Sequence, residues 1–180
     1  MSEVGVSPGL HKNEVALTHA EARAHFASLA VLSSPIVLAL DVRDSTAMNS
    51  SWDIVSNTEL LAINSAWAGS AGTRIAQSDT NVTWDYCGAQ YAMGCSAPEW
   101  EVYAKPLPGG GAAVLVMNHG HTGAANVSVS VPLASIPSLA CSGSSCHVRD
   151  VYAHADAGTV SGTFSVPSLA AHDSVCVVLS

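Results

Sequence analysis

Charge is scarce in this sequence, and positive charge most of all. Of 180 residues only 11% are charged, with 6 Lys and Arg against 14 Asp and Glu. A net charge of −8 repels phosphate backbones and anionic lipid headgroups, which argues against nucleic-acid and membrane partners. Aromatic residues are also few, at 6%, so tryptophan is more economically spent on packing than on ligand stacking. No apolar run approaches the ~20 residues of a membrane helix; the longest, Ile36 to Leu40, is strand-sized. No Gly-x-Ser-x-Gly elbow surrounds a serine and no glycine-rich phosphate loop precedes a lysine, which removes support for serine hydrolysis and nucleotide binding. What the chain does have is 48% hydrophobic residues, enough to build a core and to exclude wholesale disorder. Its length suits one domain, or a small domain plus a piece of another.

Five cysteines occur. Cys87/Cys95 and Cys141/Cys146 each bracket a short loop rich in Gly, Ser and Ala, as local disulfides do. Neither pair has metal-ligand spacing, so no metal site is expected. Cys176 lies in the apolar run Val175 to Leu179 and reads as a buried free thiol. Asn49, Asn81 and Asn126 begin acceptor sequons for N-glycosylation. Paired cysteines and sequons together favour a secretory or vacuolar history, although Met1 to Gly5 lacks the basic start and apolar core of a signal peptide.

The pattern changes near Gly69. Before it, Ala20 to Ser33 reads as a helix, with Thr18 as N-cap, Glu21 completing a capping box, and an apolar stripe of Ala22, Phe26, Leu29, Ala30 and Leu32. Pro35 ends it. Ile36 to Leu40 then reads as a strand apolar on both faces, and Ser51 to Ile63 as a second helix with Ile54, Val55, Leu61 and Ala62 inward. Helix, two-sided strand, helix is one repeat of an α/β barrel or doubly wound sheet, and one repeat cannot close a sheet. After Gly69, eight short strands are expected near 74–77, 83–86, 99–104, 112–118, 126–131, 148–152, 162–166 and 174–179. Val127 to Val131 alternates strictly, so one face is wet and one dry. Short strands at such spacing predict an antiparallel β-sandwich. The expectation is a mainly β chain: residues 71–180 form the sandwich, and residues 1–70 hold one α/β repeat of a doubly wound sheet or of a (β/α)8 barrel that is incomplete in this chain.

Few residues offer chemistry. Asp41 follows the two-sided strand, where a barrel places catalytic groups, but an ion pair among Asp41, Arg43 and Asp44 is an equal competitor. His119 and His121 could chelate a metal from a turn, yet no carboxylate at a ligand-like offset joins them. Trp52, Trp67, Trp84 and Trp100 could stack on pyranose faces, though packing is the commoner use.

The order of segments carries more. Glu21 to Phe26, Leu32 to Leu38 and Asp41-Val42-Arg43 resemble the last barrel repeat of the melibiase-type α-galactosidases and α-N-acetylgalactosaminidases of glycoside hydrolase family 27. Leu60 to Asn64, ending in Gly69 to Gly72, resembles the exit from that barrel. Glu101 to Leu107, Ala113 to Asn118, Val148 to His154, Gly158-Thr159 and Ala171-His172 resemble the family's sandwich. The resemblance implies a retaining hydrolysis of terminal α-D-galactosyl groups, in which two carboxyls about 5 Å apart act as nucleophile and acid/base. It places both upstream of the matching segments, so no catalytic residue transfers. Met1 would align with a substrate-contacting methionine, and Asp41 and Arg43 with the active-site rim. Two departures mark that rim: Asn64 to Gly69 replaces the usual Asn-Gln-Asp-Pro-Leu-Gly, and Leu40 stands where an Asn often precedes the strand-end Asp. The resemblance implies no cofactor and a galactosyl carbohydrate as the partner of the full-length parent. That parent would be secreted, vacuolar or lysosomal, and its oligomeric state stays open, a homodimer included. A stand-alone carbohydrate-binding or scaffold sandwich is the alternative.

Overall fold

A computed structural model describes residues 17–38, 42–84 and 95–180. Three helices come first: α1 (His19–Val31), α2 (Ser45–Val55) and α3 (Thr58–Ser65). Ten strands follow: β1 (Thr73–Gln77), β2 (Asn81–Trp84), β3 (Cys95–Pro98), β4 (Trp100–Pro106), β5 (Ala112–Asn118), β6 (Val127–Pro132), β7 (Ser145–Asp150), β8 (Ala155–Ser161), β9 (Thr163–Leu169) and β10 (Ser174–Leu179). The chain is mainly β, as its sequence predicts. β3 and β8 add to the eight expected strands. β8 escapes a hydrophobicity reading because it is exposed along almost its whole length.

α1 begins as its capping box requires, with the Thr18 hydroxyl and the Glu21 carboxylate each accepting from the other residue's backbone N–H. The single helix expected over 51–63 is instead two. Asn57 adopts an extended conformation and accepts from the N–H groups of Glu59 and Leu60, so it ends one helix and caps another. Restarting the helix shifts its phase. Ile54 and Val55 face inward as expected, but in α3 Leu60 and Ile63 are buried while Leu61 is 38% exposed. Of the strand expected over 36–40, Leu38 makes an isolated bridge and residues 39 and 40 lie outside the described residues. Val37 and Leu38 are exposed, whereas Ile36 packs partly against the helices.

The strands form a six-stranded antiparallel sheet in the order β1-β4-β5-β10-β7-β8, with β6-β9 and β2-β3 as separate two-stranded ribbons. One face of the large sheet carries Val102, Val114, Val116, Val148, Val177 and Leu179, packed against Val129, Val131, Phe164 and Val166 of the β6-β9 ribbon. This is the sandwich core. β6 shows the alternation read from its sequence, with Val127, Val129 and Val131 buried between exposed neighbours.

The opposite face carries Ala113, Leu115 and Cys176, packed against Phe26, Ala27, Ala30, Val31, Leu60 and Ile63 of the helices. β5 and β10 are therefore covered on both sides, which explains their near-continuous apolar sequences. Such runs are the rule in helix-covered parallel sheets; here the same burial arises in an antiparallel one. Where the chain leaves the helices, the Gly72 N–H donates to the Val31 carbonyl at 2.9 Å. A Cβ at residue 72 would lie 2.5 Å from that oxygen, so the junction admits only glycine.

Candidate functional site

Polar side chains concentrate along the seam between the helical layer and the sheet. Arg149 on β7 donates to both carboxylate oxygens of Glu59, at 2.9 and 3.2 Å, and to Asp156 on β8 at 3.1 Å. His154, in the turn after β7, adds its Nδ1 to Glu59 at 2.9 Å. The Arg149 hydrogen bonds hold the Glu59 carboxyl below the usual carboxylate range and raise the pKa of the Arg149 guanidinium. Glu59 at the N-terminus of α3 also suits the helix dipole. Held ionised, it does not serve as a proton donor near neutral pH.

A second group surrounds α1. Arg23 donates to Asp173 at 2.7 Å and lies 4.4 Å over the Tyr152 ring. The Tyr152 hydroxyl bonds the Ser174 hydroxyl at 2.8 Å, and burial pushes its pKa above the ordinary tyrosine value. Beneath α3, the fully buried Lys105 of β4 donates from Nζ to the carbonyls of Ile63 and Asn64. It places a cation at the carbonyl end of the helix, the favourable end of the dipole, and burial lowers its pKa. Asn64 in turn donates to the carbonyls of Leu29 and Ser34, tying α3 to the end of α1.

The residues singled out in sequence fall as follows. Met1, Asp41 and Cys87 lie outside the described residues. Arg43 is exposed just before α2. Asp44 is the N-cap of α2, its carboxylate accepting from Thr46 and Ala47. Cys141 and Cys146 form a disulfide, and Cys95 is disulfide-bonded. Cys176 is free and buried, and desolvation pushes its thiol up to about 12, which makes it inert. Asn49, Asn81 and Asn126 are exposed. His119 bonds Glu101 at 3.2 Å, whereas His121 packs edge-on to Trp84, so the two imidazoles serve different partners. Among the described residues no cluster fit to hold a metal ion occurs. Trp100 packs against the sandwich core, while Trp52 and Trp67 are 58% and 63% exposed. The residues of the seam were not legible as a group, because they come from five distant segments.

Fold and seam define a β-sandwich module braced against a helical layer by ion pairs and buried polar side chains. Residues 97–179, just under half of the chain, match the α-galactosidase C-terminal β-sandwich domain. The α-galactosidase of Coffea arabica is 26% identical over 164 residues, which cover 91% of this chain and 36% of that protein. The chain thus spans about a third of that relative's length. Two solved structures share the fold at 20% identity. The α-galactosidase of Saccharomyces cerevisiae with raffinose superposes with a TM-score of 0.67, over 99% of this chain and 45% of that one. A family 27 β-L-arabinopyranosidase from Geobacillus stearothermophilus gives 0.71, over 96% and 33%. One fold therefore carries enzymes named for two different sugars.

Proposed function

We propose that this chain is the C-terminal part of a retaining α-galactosidase, one that hydrolyses terminal α-D-galactosyl residues, and that it lacks the nucleophile and acid/base carboxylates. The observation that carries this reading is collinearity: helical layer and sandwich together align with 36% of the coffee enzyme. In this reading residues 1–70 complete a (β/α)8 barrel, and residues 71–180 are the sandwich that supports it. The galactosyl substrate meets the full-length parent, which is secreted, vacuolar or lysosomal.

Two measurements test it. The purified chain should turn over a nitrophenyl α-galactoside no faster than a mock preparation; turnover by the chain alone would overturn the proposal. A chimera joining the upstream two-thirds of the coffee enzyme to this chain should hydrolyse the same substrate. A folded but inactive chimera counts against it.

A second reading, a stand-alone carbohydrate-binding sandwich, draws on the exposed indoles of Trp52 and Trp67. It requires that oligosaccharides change the tryptophan fluorescence of the chain, and that Trp52→Ala or Trp67→Ala abolish the change.

A further inference from the structure

Asn49 and Trp52 sit at the i and i+3 positions of α2, which puts them on one face of the helix. Asn49 is exposed, and so is the indole of Trp52. A helical side chain leans over the turn before its own Cα, so the indole lies toward Asn49 and not away from it. With Met48 and Asp53 the two line a shallow pocket open to solvent. An indole left in water is apolar surface that wants a cover. Asn49-Ser50-Ser51 is an acceptor sequence for N-linked sugar, and it names one.

The other two sequons lack such a shelf. Asn81 opens β2, where Thr83 shares its side and Trp84 points to the opposite one; there Trp84 packs on His121. Asn126 donates from Nδ2, the atom that would carry the sugar, to the Ser168 hydroxyl at 2.8 Å. Disulfides form and persist along the secretory route, where N-linked sugars are added, and Cys141 with Cys146 forms one. Ser51, the hydroxyl residue of the Asn49 sequon, is only 2% exposed. A transferase therefore reads this sequon before α2 packs, on the nascent chain.

We propose that Asn49 is an N-glycosylation site whose first N-acetylglucosamine lies on the indole of Trp52. In the transfer, Nδ2 of Asn49 bonds to the anomeric carbon of a lipid-diphosphate-linked oligosaccharide. The bond from that carbon to the diphosphate oxygen breaks, Nδ2 gives up one proton, and the lipid diphosphate leaves. The apolar face of the pyranose and its acetyl methyl then cover the ring. The proposal rests on the secretory route of the proposed parent and not on its hydrolysis.

The test is to secrete the intact 180-residue chain from insect cells behind a cleavable leader, so that the host supplies the route and a failure falls on the site alone. Release by peptide N-glycosidase in heavy-oxygen water labels each former acceptor. Asn49 should carry the label, and the acetyl methyl of its first sugar should show nuclear Overhauser contacts to the Trp52 ring. Asn49→Gln should lower the melting temperature by about 2–4 °C in wild type, and by less in a Trp52→Ala background. An unlabelled Asn49 overturns the proposal, whether or not Asn81 or Asn126 is labelled. So does a sugar on Asn49 that makes no contact with the ring, or an equal loss of melting temperature in the two backgrounds.

Discussion

Asn57 and Val151 are joined by a hydrogen bond, the buried Nδ2 of the first donating at 3.0 Å to the carbonyl of the second, 94 residues away. The other end of the same amide caps α3. One side chain thus sets where a helix begins and where that helix meets the sheet. Asn57→Ala loses the cap and orphans the Val151 carbonyl, an expected loss of about 2–4 kcal/mol. Asn57→Asp keeps the cap and loses only the donor, so its urea midpoint should fall between wild type and Asn57→Ala. Equal midpoints for the two variants would mean that the cap contributes nothing.

Phe26 is fully buried between α1 and the outer sheet face. Phe26→Ala should cost about 3–5 kcal/mol and should act first on the helical layer. Hydrogen exchange would then rise in α1 and α3 more than in the β6-β9 ribbon. Uniform acceleration through both layers would show that helices and sandwich open as one unit.

Glu59 gives the fold an acid limit. Its folded pKa is depressed by the Arg149 hydrogen bonds, so as pH falls the unfolded chain takes up the proton first. The stabilisation is complete above the ordinary glutamate value of about 4.3 and is lost as pH falls through the lower folded value. Melting temperature should therefore drop below about pH 4.5 more steeply in wild type than in Glu59→Gln. Parallel profiles for the two proteins would contradict this.

The Cys141–Cys146 bridge closes a sequence separation of only 5. Loop-closure entropy for so short a ring is worth about 2 kcal/mol, and Cys146 is also fully buried in the sandwich core. Replacing both by serine should lower stability by about 2 kcal/mol or slightly more, measured by urea unfolding. Replacing both by alanine, which spares the core a hydroxyl, should cost less.

The sandwich was readable because its signals are local. Strict alternation at Val127 to Val131 announces a one-sided strand, and Thr18 with Glu21 announces a helix start. The covering of the outer sheet face was not readable from β5 or β10 alone, since an apolar run reports burial on both sides without saying what provides it. The break at Asn57 was hidden by helix-compatible residues on both sides, and β8 by its polarity. The seam was least visible, because Arg23, Glu59, Lys105 and Arg149 meet their partners only through tertiary packing.

The double covering of β5 and β10 has a consequence for how substitutions are tolerated along them. On a strand with one wet side, every second position accepts charge. Here that even–odd rhythm should vanish: Leu115, pointing at the helices, should be as intolerant of aspartate as Val114, pointing at the ribbon. β6, with its alternating exposure, should keep the rhythm, so a saturation scan of the two strands would read the number of protein layers from the periodicity of failure.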